Sequence, residues 1–392
     1  MNELVAKINK GHMITNINKQ NINNQRNIKK LVCILMLAVL CGSCKKLTSR
    51  EIAGQILLKD FKPVSIFNIP TTEVNTPKYG VIDMHSHDYT NSNPEQIAEW
   101  IKTMDACGIR HAHIMHCEWI GEDFETMLAA YGAHPDRFSV WCSLDYTDIE
   151  AENWEERAKA HLDRCKALGA FGIGEMVDKG LGDEYARPVK GTHIHLDHPK
   201  MQSVLDYAGE IGLPINIHVG EPIWMYEPID VHNDGLMNGA NWKVDTTVEG
   251  CYDYNGVIEC FANAAKAHPN TIFIGAHYLN MNQDYPRLGK ILDECPNVYL
   301  DLSARVGESA VTPRATRRFI EKYADRIFYG TDNGTSANMY RTVFRFLETD
   351  DEHIYEPSFG YHWAYSAFDL PDKVLRKLYY ENAEKLYKKL NK

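Results

Sequence analysis

The stretch Asp83-Met84-His85-Ser86-His87 places two imidazoles one residue apart at the end of an apolar run. Side chains at i and i+2 of an extended segment point the same way, so His85 and His87 can reach one metal ion from the carboxyl end of a strand. Imidazole suits zinc and its first-row neighbours. A His-x-His pair alone is a short motif that a surface accident also produces. Its weight comes from downstream, where Glu175, His218, His277 and Asp332 each follow a short apolar run in the same way. A lone buried histidine is more often a satisfied core residue than a ligand. Six ligand-type residues at equivalent positions are better explained as one functional layer.

The elements that must carry these residues are short and apolar. Val81 to His87 reads as the first strand, Ala112 to Met115 as the second, and Phe138 to Leu144 as the third. Phe171 to Gly174, Pro214 to Ile217 and Ile272 to Gly275 follow, then Val298 to Leu302 and Ile327 to Gly330. Amphipathic stretches lie between them, among them Pro94 to Met104, Trp154 to Leu168, Met201 to Ile211 and Val257 to Ala267. Alternation of this kind over about 300 residues predicts an α/β fold, a (β/α)8 TIM barrel. In such barrels, polar residues at the carboxyl ends of strands read as catalytic. Two long insertions are expected, after strand five (residues 219–256) and after strand eight (from Asn333 to about Leu370). Insertions of that length are often functional lids. Their aromatics, Trp224 and Tyr226 among them, read equally as a platform for a ring substrate and as packing of the lid onto the barrel. Arg305, beyond strand seven, reads as a clamp for a substrate carboxylate or as the partner of Glu308 in an ion pair.

Together these segments resemble the amidohydrolase superfamily, and within it the amidohydrolase-related branch that includes aminocarboxymuconate-semialdehyde decarboxylase-type enzymes. The resemblance covers roughly residues 79–390. It rests on Asp83-Met84-His85-Ser86-His87, Leu213-Pro214-Ile215-Asn216-Ile217-His218, Gly275-Ala276-His277 and Tyr329-Gly330-Thr331-Asp332, with Tyr380-Glu381-Asn382-Ala383-Glu384-Lys385-Leu386 similar to the family's last helix. It implies that His85, His87 and His218 hold a divalent metal, that Asp332 is both ligand and proton acceptor, and that His277 faces the substrate or a second metal. Glu175 fits the position where binuclear branches place a bridging acid, while the decarboxylase-like branch works with one ion. Zinc is the expected cation, with one or two ions per chain. Such a centre lowers the pKa of a coordinated water towards ~7 and polarises a carbonyl. The leading expectation is therefore a hydrolase acting on a small amide, lactone or ester. A decarboxylase or hydratase of the same branch is the alternative, and a non-catalytic surface binding lipoprotein is the rival outside enzymology.

The amino-terminal region reads as an address. Lys29-Lys30 precedes a ten-residue apolar run, Leu31 to Leu40, and then Gly42-Ser43-Cys44. That is the pattern of a secretory signal over residues 1–43, with Cys44 as a lipidated first residue of the mature chain. Residues 44–78 read as a proline-punctuated tether with a short strand at Val64 to Phe67, and residues 79–392 as the barrel. The expected location is the bacterial cell envelope, lipid-anchored, with membrane contact through the anchor alone. The net charge of −11 argues against a nucleic-acid partner, which needs clustered Lys and Arg. A small-molecule substrate is the expected partner, and a homo-oligomer is compatible with the chain. Of the ten cysteines, the seven that follow Cys44 lack CxxC spacing or the density of a disulfide scaffold and read as buried thiols.

Overall fold

The computed structural model describes residues 47–116, 124–182 and 193–390. The signal segment and the lipidation site Cys44 lie outside the described residues. The chain divides into two units, Met1–Phe61 and Lys62–Lys392. In the first, a short helix, Ser49–Ala53, begins at a capping box in which the Thr48 hydroxyl accepts from the Glu51 N–H. Among the described residues, no helix is long and apolar enough to cross a membrane.

Among the described residues of the second unit, eight parallel strands alternate with helices. They are β1 (Val81–His87), β2 (Ile109–Met115), β3 (Phe138–Val140), β4 (Ile173–Asp178), β5 (Ile215–Val219), β6 (Phe273–Gly275), β7 (Val298–Asp301) and β8 (Ile327–Phe328). Continuous ladders join β1-β2-β3 and β4-β5-β6-β7-β8. Backbone hydrogen bonds also cross the two seams between these sheets. The Gly174 N–H donates to Cys142 O at 2.8 Å, and the Met84 N–H donates to Tyr329 O at 3.0 Å. The fold is the TIM barrel that the alternation of strands and helices predicts.

The helices form for readable reasons. In Pro94–Cys107 the Asn93 side chain accepts from the Glu95 and Gln96 N–H groups, proline opens the first turn, and Gly108 at φ 71° ends the helix. Ile97, Trp100, Met104 and Cys107 recur at three- and four-residue spacing and are the face it buries. At the chain's end, the Asn382 side-chain amide donates to Ala324 O (2.7 Å) and Ile327 O (2.8 Å), fastening the last helix under β8.

Two expectations need correction. Val64 to Phe67 forms no strand, and with Val64 84% and Ile66 91% exposed it has no apolar surface to pair against. The fourth strand starts two residues later than expected, so Glu175 lies inside it rather than just past its end. Within the expected insertion after β8, Ala337–Glu348 forms a twelve-residue helix that buries Tyr340, Val343, Phe344, Phe346 and Leu347. Its apolar residues recur at helical spacing, a signal masked by the aromatic content of the whole segment.

Candidate functional site

The barrel brings the expected residues to one place. Glu175 stands in the middle, with Oε1 3.5 Å from His85 Nε2, 3.5 Å from His218 Nδ1 and 3.2 Å from His277 Nε2. Its Oε2 lies 3.4 Å from His87 Nε2, which is also 3.4 Å from Asp332 Oδ1. Close backbone approach makes this possible. A Cβ on Gly174 would meet the Asn216 Cβ at 2.9 Å, and one on Gly330 would meet the His85 Cβ at 2.9 Å. His277 and Asp332 follow their strands at φ 58° and 59°, a left-handed backbone that is unusual for residues with side chains. Hydrogen bonds offset the cost: the His277 N–H donates to Asp301 Oδ1 (3.1 Å) and the Asp332 N–H to His85 O (2.9 Å).

Asp301, which sequence reasoning missed, orients the imidazoles. Its Oδ2 lies 3.0 Å from His85 Nδ1 and accepts from Asn216 Nδ2 at 3.1 Å, and its Oδ1 also accepts from the Ser303 N–H. A carboxylate at His85 Nδ1 assigns the ring proton there and turns the Nε2 lone pair inward. The Ser303 carbonyl, 2.9 Å from His277 Nδ1, does the same for His277. Both lone pairs then point at Glu175 Oε1, and neither His85 Nε2 nor Glu175 Oε1 has a hydrogen-bond partner. Buried polar atoms left in this way are costly, and a cation among them removes the cost. Two triads, His85-His87-Asp332 and His85-Glu175-His277, have their ligand atoms within 4.8 Å of one another. Imidazole and carboxylate donors at this spacing fit a divalent metal.

The electrostatics agree. Burial opposes a charge on His85, but Asp301 and Glu175 overcome it and hold the imidazole up to about 9. Burial would likewise raise Glu175, yet His85 and the surrounding imidazoles of His218, His277 and His87 hold it well below the usual carboxylate range. The negative field that draws a proton onto His85 is the field in which a cation would sit.

Above this floor lies a cavity of about 540 Å³, lined among others by Tyr89, Lys179, Glu221, Trp242, Arg305 and Glu308. Glu221 is buried between Lys179 Nζ (2.6 Å), His218 Nε2 (3.5 Å) and Arg305 Nη2 (3.6 Å). Burial opposes its charge, but Lys179 and His218 hold it well below its ordinary range. Arg305 lines the cavity and stands 3.8 Å from Glu308, and that ion pair is buried rather than at the surface. Burial raises Glu308, which accepts from the Tyr361 hydroxyl at 2.8 Å. Trp224 and Tyr226 do not line the cavity. Trp224 packs edge-on against Tyr361 and Trp363 and so ties the two insertions together, while the Tyr226 hydroxyl donates to Lys179 O at 3.2 Å and ties its insertion to the end of β4. Asp301 was legible in principle, since it obeys the same strand-end rule, but strand seven was drawn one residue too long. Lys179 and Glu221 carry no comparable signal.

The amidohydrolase family model matches residues 79–389. The chain belongs to the amidohydrolase family. The branch is the amidohydrolase-related one that the sequence resembles. No curated protein matches significantly. Among solved structures, an uncharacterized TIM-barrel protein from Bordetella bronchiseptica is 16% identical with a TM-score of 0.52, covering 80% of this chain and 99% of that one. A putative amidohydrolase from Staphylococcus aureus is 16% identical with a TM-score of 0.50, covering 78% of this chain and 98% of that one. A dihydroxybenzoic acid decarboxylase from Polaromonas sp. JS666, solved with bound manganese and the inhibitor 2-nitroresorcinol, is 15% identical with a TM-score of 0.50, over 80% of this chain and 98% of that one. These likenesses concern the fold. The amidohydrolase-family enzyme therefore carries a set of side chains suited to a divalent metal at the mouth of a TIM barrel.

Proposed function

We propose that this amidohydrolase-family enzyme is a metal-dependent decarboxylase of a small carboxylated substrate, with His85, His87, Glu175, His218 and Asp332 as metal-binding residues. The observation that carries the metal is the pair of lone pairs on His85 and His277 aimed at an unpartnered Glu175 oxygen. The dihydroxybenzoic acid decarboxylase among the similar structures supports decarboxylation over the hydrolysis first expected. So do the two cationic side chains, Lys179 and Arg305, in the wall of the same cavity. Manganese in that enzyme also widens the expected cation from zinc to divalent metals generally.

When bound, the divalent ion supplies a Lewis acid that polarises a substrate oxygen. The protein's own groups do the rest. Arg305 and Lys179 attract the carboxylate, and the cavity walls exclude water from it. Loss of carbon dioxide leaves a carbanion that needs one proton. Asp332 is placed to deliver it, held by the Tyr89 hydroxyl, which donates to Asp332 Oδ1 at 2.9 Å and to its backbone carbonyl at 2.6 Å. His277, whose Nε2 lone pair faces the same space, can join the metal-binding residues or accept a proton.

One observation favours hydrolysis as a second reading. Glu175 lies within 3.2–3.5 Å of four imidazoles, the arrangement expected of an acid bridging two cations in a water-activating centre. Elemental analysis of the purified protein, then turnover of a panel of carboxylated and ester or amide substrates in ¹⁸O-labelled water, separates the two. Carbon dioxide release with no label in the organic product is expected. Label incorporated into the product without carbon dioxide release would sink decarboxylation and leave the metal centre standing. Export and lipid anchoring at Cys44 belong to the same proposal. Cys44→Ala is expected to release the protein from membrane fractions, and a wild-type protein already soluble and starting at Met1 would refute it.

A further inference from the structure

Beyond Arg305, the wall of the cavity carries a carboxylate that the proposed chemistry does not use. Spacing along the wall sets the order. His218 Nε2 lies 3.5 Å from Glu221 Oε2, which lies 3.6 Å from Arg305 Nη2, and Arg305 Nη1 lies 3.8 Å from Glu308 Oε1. Glu308 thus follows the Glu221–Arg305 pair, counted outward from the metal-binding residues. It is only 8% exposed and still lines the cavity. Burial opposes its charge, and Arg305 favours it.

Hydrogen-bond direction makes Glu308 an acceptor. The Asn238 side-chain amide donates to the Tyr361 hydroxyl at 2.9 Å, so that hydroxyl gives its own proton to Glu308 Oε1 at 2.8 Å. Asn238 belongs to the insertion after β5 and Tyr361 to the one after β8, so both insertions fix this carboxylate in place. A carboxylate offers about four acceptor positions, and Tyr361 fills one. Arg305 Nη1, at 3.8 Å, is beyond hydrogen-bond reach. The arginine is held separately, by Nε to Asn280 Oδ1 (2.6 Å) and Nη1 to Ala304 O (2.9 Å). A buried cation and a buried acceptor therefore stand side by side on one wall, each with capacity left for a ligand.

We propose that Glu308, backed by Tyr361, is a specificity-determining group of this cavity: it accepts a hydrogen bond from a hydroxyl or amino group of the substrate while Arg305 holds the carboxylate. The inference rests on the reading of the cavity as the site of a small carboxylated substrate, and it narrows that class to hydroxy- or amino-substituted acids. An acid without such a donor leaves the Glu308 carboxylate buried and short of a partner. An acid with a second carboxylate at that position meets it charge against like charge.

The test uses the full chain with its metal and reads binding by calorimetry, with benzoate, 2- and 3-hydroxybenzoate and 2- and 3-aminobenzoate as probes. At least one substituted acid is expected to bind ~10-fold or more tightly than benzoate, the yield of one hydrogen bond to a charged group. Glu308→Leu is expected to cut that preference below ~2-fold while benzoate still binds, which also shows that the variant is folded. Glu308→Gln keeps the shape and an acceptor oxygen for Tyr361, and is expected to weaken the preference ~3-fold or more. Wild-type protein that binds the substituted acids no more tightly than benzoate, or binds none of the probes, would overturn the proposal without recourse to any variant. So would a preference that survives Glu308→Leu, which would assign the donor to the metal centre instead. Binding is read without turnover, so a failure here leaves decarboxylation to the carbon dioxide assay, and a hydrolytic outcome there leaves this preference standing.

Discussion

Two neighbouring strands of this barrel carry a His-x-His pair, and they have opposite fates. His85 and His87 end β1, where the barrel opens. His111 and His113 lie lower, since Ile82 on β1 pairs with His111 on β2. Every ring nitrogen of the lower pair has a partner. His113 Nδ1 accepts from Trp141 Nε1 (2.9 Å), and its Nε2 meets the Tyr387 hydroxyl (2.6 Å). His111 meets Ser139 Oγ at 2.8 Å and the Asp136 carbonyl at 3.2 Å. His85 Nε2, by contrast, has no hydrogen-bond partner and faces a carboxylate. The charges diverge too. Burial and the neighbouring His111 push His113 well below the ordinary histidine range, whereas Asp301 and Glu175 hold His85 at about 9 against its burial. The same two-residue spacing thus yields a satisfied core pair or a ligand pair according to height in the barrel and to which groups stand opposite.

That contrast can be broken at its strongest point first. The double substitution His85→Ala, His87→Ala is expected to remove tight metal binding and all measurable turnover while the barrel stays folded, because both residues sit at the catalytic face. Full metal occupancy in the double variant, by elemental analysis, would end the ligand assignment. Asp332→Asn keeps the shape and loses the proton carrier, so turnover is expected to fall by ~10²–10⁴-fold with substrate affinity largely retained. Equal losses in substrate binding and turnover would instead make Asp332 a binding group.

Asp301→Asn tests the orienting carboxylate behind His85. Loss of such a partner typically costs ~10–100-fold in metal affinity, which competition with a chelator would read. An unchanged affinity would show that His85 is held by packing alone.

His113→Ala should do the reverse of these. It leaves the Trp141 N–H and the Tyr387 hydroxyl without a partner, at roughly 1–3 kcal/mol for each group, with metal content unchanged. Denaturant midpoints together with metal analysis check both halves.

The smallest effect is in pH. The folded state holds His113 below its unfolded value of ~6.5, so the unfolded chain binds the extra proton. The contribution of His113 to stability is complete above about pH 6.5 and declines as pH falls below it. Wild type should therefore lose more stability than His113→Gln between pH 7 and pH 5, and parallel losses in the two proteins would refute the buried, neutral assignment.

The reach of sequence reasoning is visible in particular residues. His85, His87, His218, His277 and Asp332 were legible because each follows a local apolar run, and strand-end position is a local property. Asn382, noted only as part of a motif, turns out to anchor the last helix to the backbone around β8. Trp224 and Tyr226 were aromatic residues in a long insertion, and composition cannot say which way a ring faces. Trp224 holds the two insertions together, Tyr226 fastens its insertion to the end of β4, and Trp242 from the same insertion reaches the cavity instead.

The sequence by itself determined the alternation of strands and helices, the family, and the chemical types presented at the barrel mouth. These follow from short-range apolar patterning and from residues at or next to it. Only the tertiary structure decided that Asp301 orients His85 across 216 residues of chain and that Lys179 and Arg305 share Glu221. Barrel closure sets those partnerships, bringing strands distant in sequence to within hydrogen-bond reach, and no local pattern records which carboxylate will meet which imidazole.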